Sequence, residues 1–369
     1  MASSQEKSTT VRTEKRRASG SANTAQDPRI ARMRPVFGVL ERVAPWLGAR
    51  LAFDAWSTTM RPDPQAVARS REGGLGEVRT IRIELPDWTG RRPTKRDGTP
   101  KPPRTVDIAV ELLGPEGGPL VYLLHGWGGW RGQFTPIARR LAASGHRVVL
   151  IDGPNHGDSG PGALGPNRGL LPDFSLTLAA VTREFGPAHA IAGHSVGAAC
   201  TAHALFDGVK ADKAVFLAPP NDPIAFTRYL AELLGFGERT RSRMVGIAER
   251  LTGIDFAGLV LPSRLVGSTD LPPALVVHDT GDAVIPIAGG RALAESWPGA
   301  RIIETSGLGH NRILRDQAVV ETVAGFIERD IETDVDDFAG GALTSDQRGR
   351  RGRNCGVDGA SMAGTTPVL

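Results

Sequence analysis

From Leu120 onward the chain alternates short, unbroken apolar runs with stretches of helical spacing; the runs are "LVYLL", "RVVLID", "AHAIAG", "KAVFLA", "ALVVHD" and "ARIIET". A strand that is apolar at every position is buried on both faces, and helices between such strands supply the cover. The pattern therefore predicts an α/β fold, a mostly parallel sheet with helices on both faces. The helices fall at about 131 to 144, 174 to 185, 197 to 207, 287 to 296 and 314 to 330. Upstream, "TIRIEL" (Ile81, Ile83, Leu85) and "VDIAVEL" (Val106, Ile108, Val110) alternate apolar with polar, the pattern of an antiparallel pair with one buried face. The sheet thus has an antiparallel start. The basic, proline-rich stretch between them, "PDWTGRRPTKRDGTPKPPR", reads as a solvated connection.

Residues 221 to 272 interrupt the alternation and carry helical spacings of their own, Phe226, Leu230, Leu233 and then Met244, Ile247, Leu251. A segment of that length without structure is uncommon inside a folded domain, so it is expected as a small helical cap. Val36, Leu40, Val43, Leu47 and Leu51 predict N-terminal helices within 36 to 76, split at Pro45. With Glu41, Arg42, Arg50 and Asp54 inside it, this segment is too charged to span a bilayer and reads as a packing or lid element. Residues 1 to 35 and 332 to 369 lack periodicity and are expected as disordered tails around a central domain at 77 to 331.

Composition narrows the partners. The net charge of +4 places +5 in residues 1 to 35 and −2 in 332 to 369, so the body is nearly neutral. That argues against nucleic-acid binding, which needs folded Lys/Arg on one face. Two cysteines, Cys200 and Cys355, give no disulfide framework and fit a reducing compartment, the cytoplasm. No run of about 18 apolar residues occurs, so no membrane span is expected.

The chemistry concentrates in "AIAGHSVGAAC", where Gly193-His194-Ser195-Val196-Gly197 joins a strand to a helix. A nucleophilic serine needs its hydroxyl exposed on such a sharp turn, and small neighbours let the backbone make it. Its hydroxyl is a poor nucleophile without a base. Of the eight histidines only His310, in "SGLGHNRIL", follows every candidate acid, on a loop beyond the last strand. The acid that would hold this imidazole is Asp282 in "VVHDTGDAVIP", with Asp279 and Asp222 as alternatives.

"HGWGGWRG" at 125 to 132 poses a different question, since Gly126, Gly128, Gly132 and the later Asp152 approach a dinucleotide-binding fingerprint. Trp127 and Trp130 crowd that turn and an antiparallel pair precedes it, which is poor for a pyrophosphate. No cofactor and no metal is expected.

Over residues 77 to 330 the chain resembles the α/β-hydrolase fold superfamily, in its esterase-like serine hydrolase branch. The resemblance rests on "HGWGG", "DGPNHGDS", "GHSVG", "HDTGDAVIP" and "GLGH" in the family's order, and on the order Ser195, Asp282, His310. It implies an α/β-hydrolase fold, a catalytic triad of those three residues, and an oxyanion hole from the backbone N–H groups of Trp127 and Val196. The expected function is cleavage of an ester or related acyl bond of a small to medium substrate through an acyl-enzyme. Acyl transfer on the same triad and non-catalytic ligand binding on the same fold are the alternatives. Trp130, His156, Phe226 and Tyr229 are candidate walls of the substrate pocket. The expected partner is a small-molecule acyl substrate, and the oligomeric state is open. Relatives that open epoxides or displace halide carry aspartate where this chain has Ser195, and the lipase-like "HGGG" is replaced by His125-Gly126-Trp127-Gly128.

Overall fold

The computed structural model describes residues 28–59, 76–87 and 102–329, with positions 65, 67, 68 and 99 between them. Most of the two expected tails and of the proline-rich connection lies outside the described residues. β1 (Glu77–Leu85) and β2 (Arg104–Leu113) pair antiparallel, Ile81 opposite Ile108 and Ile83 opposite Val106. Six strands then run parallel to one another: β3 (Leu120–Leu124), β4 (Arg147–Ile151), β5 (Ala188–His194), β6 (Ala211–Leu217), β7 (Ala274–Asp279) and β8 (Ala300–Thr305). The sheet order is β1-β2-β4-β3-β5-β6-β7-β8, with β2 antiparallel to β4.

The pleat divides each central strand between two cores. Tyr122, Leu124, Ile191, Phe216 and Val276 face a cluster under α4 (Leu171–Phe185), α5 (Val196–Phe206) and α9 (Ile287–Ser296). Val121, Leu123, Ala192, Val215 and Val277 face the opposite cluster, covered by α3 (Thr135–Ala143) and α11 (Gln317–Glu328). This double burial is why these strands read as continuous apolar runs.

The register levels the carboxyl ends of the strands. Leu124 pairs with Gly193, His194 with Leu217, and Asp279 with Thr305, so the loops after β3, β5, β7 and β8 leave the sheet along one edge. Ligands of open α/β sheets bind at that edge.

Between β6 and β7 the chain forms α6 (Pro223–Leu234), α7 (Glu238–Thr252), a 3₁₀ turn at Ala257–Leu259 and the short α8 (Leu261–Arg264). Two N-terminal helices, α1 (Pro28–Val43) and α2 (Pro45–Ser57), dock on this insertion. α1 therefore starts inside the stretch expected as tail. Contacts with the cap account for the added turns: Arg34 donates to the Glu232 and Leu233 carbonyls at the end of α6, and Phe37 meets Phe236 at 5.2 Å between ring centroids. Trp56 in turn lies 5.7 Å from Phe256.

Glu41 completes the joint. The residue before α7 is Gly237, which has no side chain to cap the helix, and Glu41 accepts from the Arg239 and Thr240 N–H groups at 3.1 Å each. Partial burial works against its charge, yet the hydrogen bonds from Thr240 and its neighbours hold the carboxyl below its ordinary range. A carboxylate at a helix N-terminus satisfies orphan donors and meets the positive end of the dipole.

Candidate active site

Ser195 sits between β5 and α5 with φ 54° and ψ −127°, a conformation that non-glycine residues adopt only when their surroundings enforce it. Its N–H donates to Leu217 on β6 at 2.8 Å. Glycines let the turn close: a Cβ on Gly193 would stand 2.5 Å from the Gly197 carbonyl oxygen, and one on Gly197 would stand 2.3 Å from that of His125. The hydroxyl is thereby lifted off the sheet edge.

His310 begins in the short α10 (Gly309–Arg312) after β8. Its Nε2 lies 2.9 Å from Ser195 Oγ, and its Nδ1 lies 2.7 Å from Asp282 Oδ2. Asp282 Oδ1 accepts from the Val284 and Ile285 N–H groups at 2.8 and 2.9 Å. Burial opposes the charge on Asp282, but contacts from His278 and His310 and the Ile285 N–H hold its carboxyl well below the usual range. The three side chains form one hydrogen-bonded line.

The alternative acids are spent elsewhere. Asp279 accepts from the Gly281 N–H, the Thr305 hydroxyl and the Leu308 N–H, which ties the ends of β7 and β8 together. Asp222 caps α6 through the Ile224 and Ala225 N–H groups. Each is a structural carboxylate of the turn it occupies.

The "HGWGG" loop runs beside the serine, where a Cβ on Gly126 would lie 2.8 Å from Ser195 Cβ. Among the described residues no protein acceptor faces the N–H of Trp127 or that of Val196, the first residue of α5. Two buried imidazoles hold the loop in shape. His125 accepts from the Gly153 N–H at 3.0 Å and faces the Gly126 carbonyl at 2.7 Å. His156 accepts from the Gly128 N–H at 3.0 Å and faces the Pro154 carbonyl at 2.8 Å. Both nitrogens of His156 are thus committed to backbone, and the residue serves as a brace behind the loop. Sequence position alone could not distinguish that from contact with substrate.

Beneath the loop Arg131 is buried against Asp152, Glu111 and Asp158, with Nη2 2.9 Å from Asp158 and Nε 3.1 Å from Glu111. This network was not legible as a unit, because its members lie on β2, the loop after β3 and the loop after β4. A third imidazole, His194, reaches the His310 carbonyl through Nε2 at 2.9 Å, and its ring packs 4.8 Å from the His310 ring. It fixes the backbone that carries the base.

The Trp127 side chain and the expected pocket residues go different ways. Trp127 packs on Phe174 and His156 and donates to the Thr58 carbonyl at the end of α2. Trp130 folds back over Gly132, where a Cβ would meet its ring at 2.1 Å. Phe226 packs against the main core, while Tyr229 is 48% exposed, its ring 6.4 Å from that of Phe226. A small apolar pocket opens between α2, the start of α4 and the cap, lined by Trp56, Leu170, Ala248, Ile254, Phe256 and Leu259.

Burial holds His125 near a pKa of about 4 and His156 and His194 near about 3. Each binds a proton in the unfolded chain at about 6.5 and resists it in the fold, so the unfolded state takes up more protons as pH falls. Their contribution is complete above the unfolded value and is lost on acidification, each at about 1.4 kcal/mol per pH unit down to its folded pKa. Chemical denaturation followed from pH 7 to pH 4 is expected to show a steep loss of stability below about 6.5. A flat profile there would contradict the neutral, buried assignment.

The model of the Alpha/beta hydrolase family matches residues 121–322, more than half of the chain, and the chain belongs to that family. Over 264 residues it is 29% identical to a pimeloyl-[acyl-carrier protein] methyl ester esterase of Chromobacterium violaceum, covering 60% of this chain and 99% of the relative. Among solved structures it is similar to a thermophilic esterase from Thermogutta terrifontis, with a TM-score of 0.47 and 17% identity over 67% of this chain and 98% of that one. An enol-lactonase from Burkholderia xenovorans LB400 is also similar, with a TM-score of 0.46 and 17% identity over 61% and 97% of the respective chains. The family marks this chain as a hydrolase, and the curated relative is an esterase. Among the described residues no helix is long and apolar enough to cross a membrane, and no cluster of side chains has the make-up of a metal site.

Proposed function

We propose that the protein is a serine hydrolase that cleaves an ester or related acyl bond of a small to medium substrate through an acyl-enzyme. The observation that carries this reading is the unbroken line from Ser195 Oγ to His310 Nε2 at 2.9 Å and from His310 Nδ1 to Asp282 Oδ2 at 2.7 Å. In the neutral tautomer that donates to Asp282, His310 presents a lone pair at Nε2 to the serine proton. The serine oxygen attacks the carbonyl carbon as its proton passes to His310, and the carbonyl oxygen becomes an oxyanion. The N–H groups of Trp127 and Val196 receive it. Collapse expels the alcohol, protonated by His310, and leaves the acyl group on Ser195. Water then repeats the sequence, giving its proton to His310 and releasing the acid and the free serine.

Preorganised donors are central to this chemistry, since loss of one typically costs about 2.7 to 4 kcal/mol of barrier. The braces from His125, His156 and the buried Arg131 keep the loop from collapsing onto its own N–H groups.

A fluorophosphonate probe tests the reading. The adduct is expected on the peptide containing Ser195, with labelling slowed by orders of magnitude in His310→Ala. An adduct on another serine, or hydrolysis of p-nitrophenyl acetate by protein that resists labelling, would refute it.

A further inference from the structure

The outer face of the N-terminal helix pair has no protein covering it among the described residues. α1 leaves Met33, Val36, Val39 and Val43 in solvent, at spacings that share one side of a helix, and α2 leaves Trp46, Leu47 and Leu51. Val43 is 73% exposed and Trp46 68%. Seven of the twelve large apolar side chains exposed among the described residues therefore lie on these two adjoining helices. Scattered apolar residues on a surface are ordinary, whereas a contiguous patch marks a docking site.

Charge identifies the occupant. Both acids of the pair already have partners: Glu41 caps α7, and Asp54, half-buried, is shared between Arg168 and Arg50. Arg32, Arg42 and Arg50 are exposed on the same two helices as the apolar stripe, Arg50 also standing 3.8 Å from Asp54. A second copy of this chain docked through the face would bring like-charged arginines together, against one partly exposed acid, Asp54, that is already paired. An anionic headgroup layer supplies the missing charge, takes the apolar stripe at its acyl boundary, and favours a tryptophan at that depth. We propose that the outer face of α1 and α2 docks the protein on an anionic bilayer surface, the helices lying in the plane of the headgroups. This inference is independent of the hydrolytic reading.

The test uses the full chain and co-sedimentation with two kinds of vesicle, phosphatidylcholine alone and phosphatidylcholine with phosphatidylglycerol in equal parts. Binding is expected to the mixed vesicles and to be weak on phosphatidylcholine alone. Each arginine near an anionic surface is worth about fivefold in partitioning, so Arg32→Gln/Arg42→Gln/Arg50→Gln should lower binding about a hundredfold. Val43→Glu/Trp46→Glu, both at exposed positions, should reduce it to background while circular dichroism and the melting temperature stay unchanged. Equal binding to both vesicles, no binding to either, or binding that survives Val43→Glu/Trp46→Glu would overturn the proposal. So would a dimer by light scattering that Val43→Glu/Trp46→Glu splits into monomers, because a second copy would then be the occupant.

Discussion

Ser195→Ala is expected to lower turnover of p-nitrophenyl acetate by about a millionfold. In the proposed mechanism the loss is this large because the substitution removes the atom that would bond to the acyl group. Little else changes: the Ser195 hydroxyl contacts His310, while the strained turn is held by the Ser195 N–H on Leu217 and by the glycines around it. Circular dichroism and the melting temperature should therefore match those of the unsubstituted protein. Turnover within tenfold of the starting activity would place the nucleophile elsewhere.

Asp282→Asn lowers kcat by about ten-thousandfold with a small change in KM. The reason lies in how the carboxylate is shared. Oδ1 accepts from two backbone N–H groups, Val284 and Ile285, so an asparagine must place its carbonyl oxygen there. Its NH₂ group then faces His310 Nδ1 and donates to it, which forces the imidazole proton onto Nε2. In that tautomer the ring donates toward Ser195 and cannot take its proton. Steady-state kinetics of Asp282→Asn beside Asp279→Asn separates the two acids. Asp279→Asn should lower the melting temperature, because its carboxylate joins β7 to the loop after β8, and leave kcat far less affected. The reverse pattern would assign the acid to Asp279.

The strands were legible because burial on both faces leaves no polar position in the run, and "LVYLL" or "ALVVHD" admits few other readings. Ser195, Asp282 and His310 could be singled out as candidates because each follows a strand-like run, and the structure places them within hydrogen-bond reach of one another. What escaped the sequence were contacts made to backbone. His156 and His194 use their ring nitrogens on carbonyl and N–H groups of other loops, and a backbone partner leaves no mark in the residue pattern. The Arg131 network was equally silent, its partners being 20, 21 and 27 residues away. The helices of the N-terminal segment were visible in their spacing and at Pro45. Their partner was not, because Glu41 looks like any solvated acid until Gly237 is placed beneath it.

The joint at Glu41 bears on how this enzyme could be rebuilt. Caps of this kind are attractive units to exchange between relatives, since they enter and leave the sheet at neighbouring strands. Here α7 begins on a carboxylate borrowed from a helix nearly two hundred residues upstream, and the Phe236 and Phe256 rings are covered from the same source. The insertion and the N-terminal pair are therefore one inheritable module written in two separated pieces of gene. A chimera that transplants residues 221 to 272 without residues 28 to 57 would carry an uncapped helix and two bare aromatic rings into its new host.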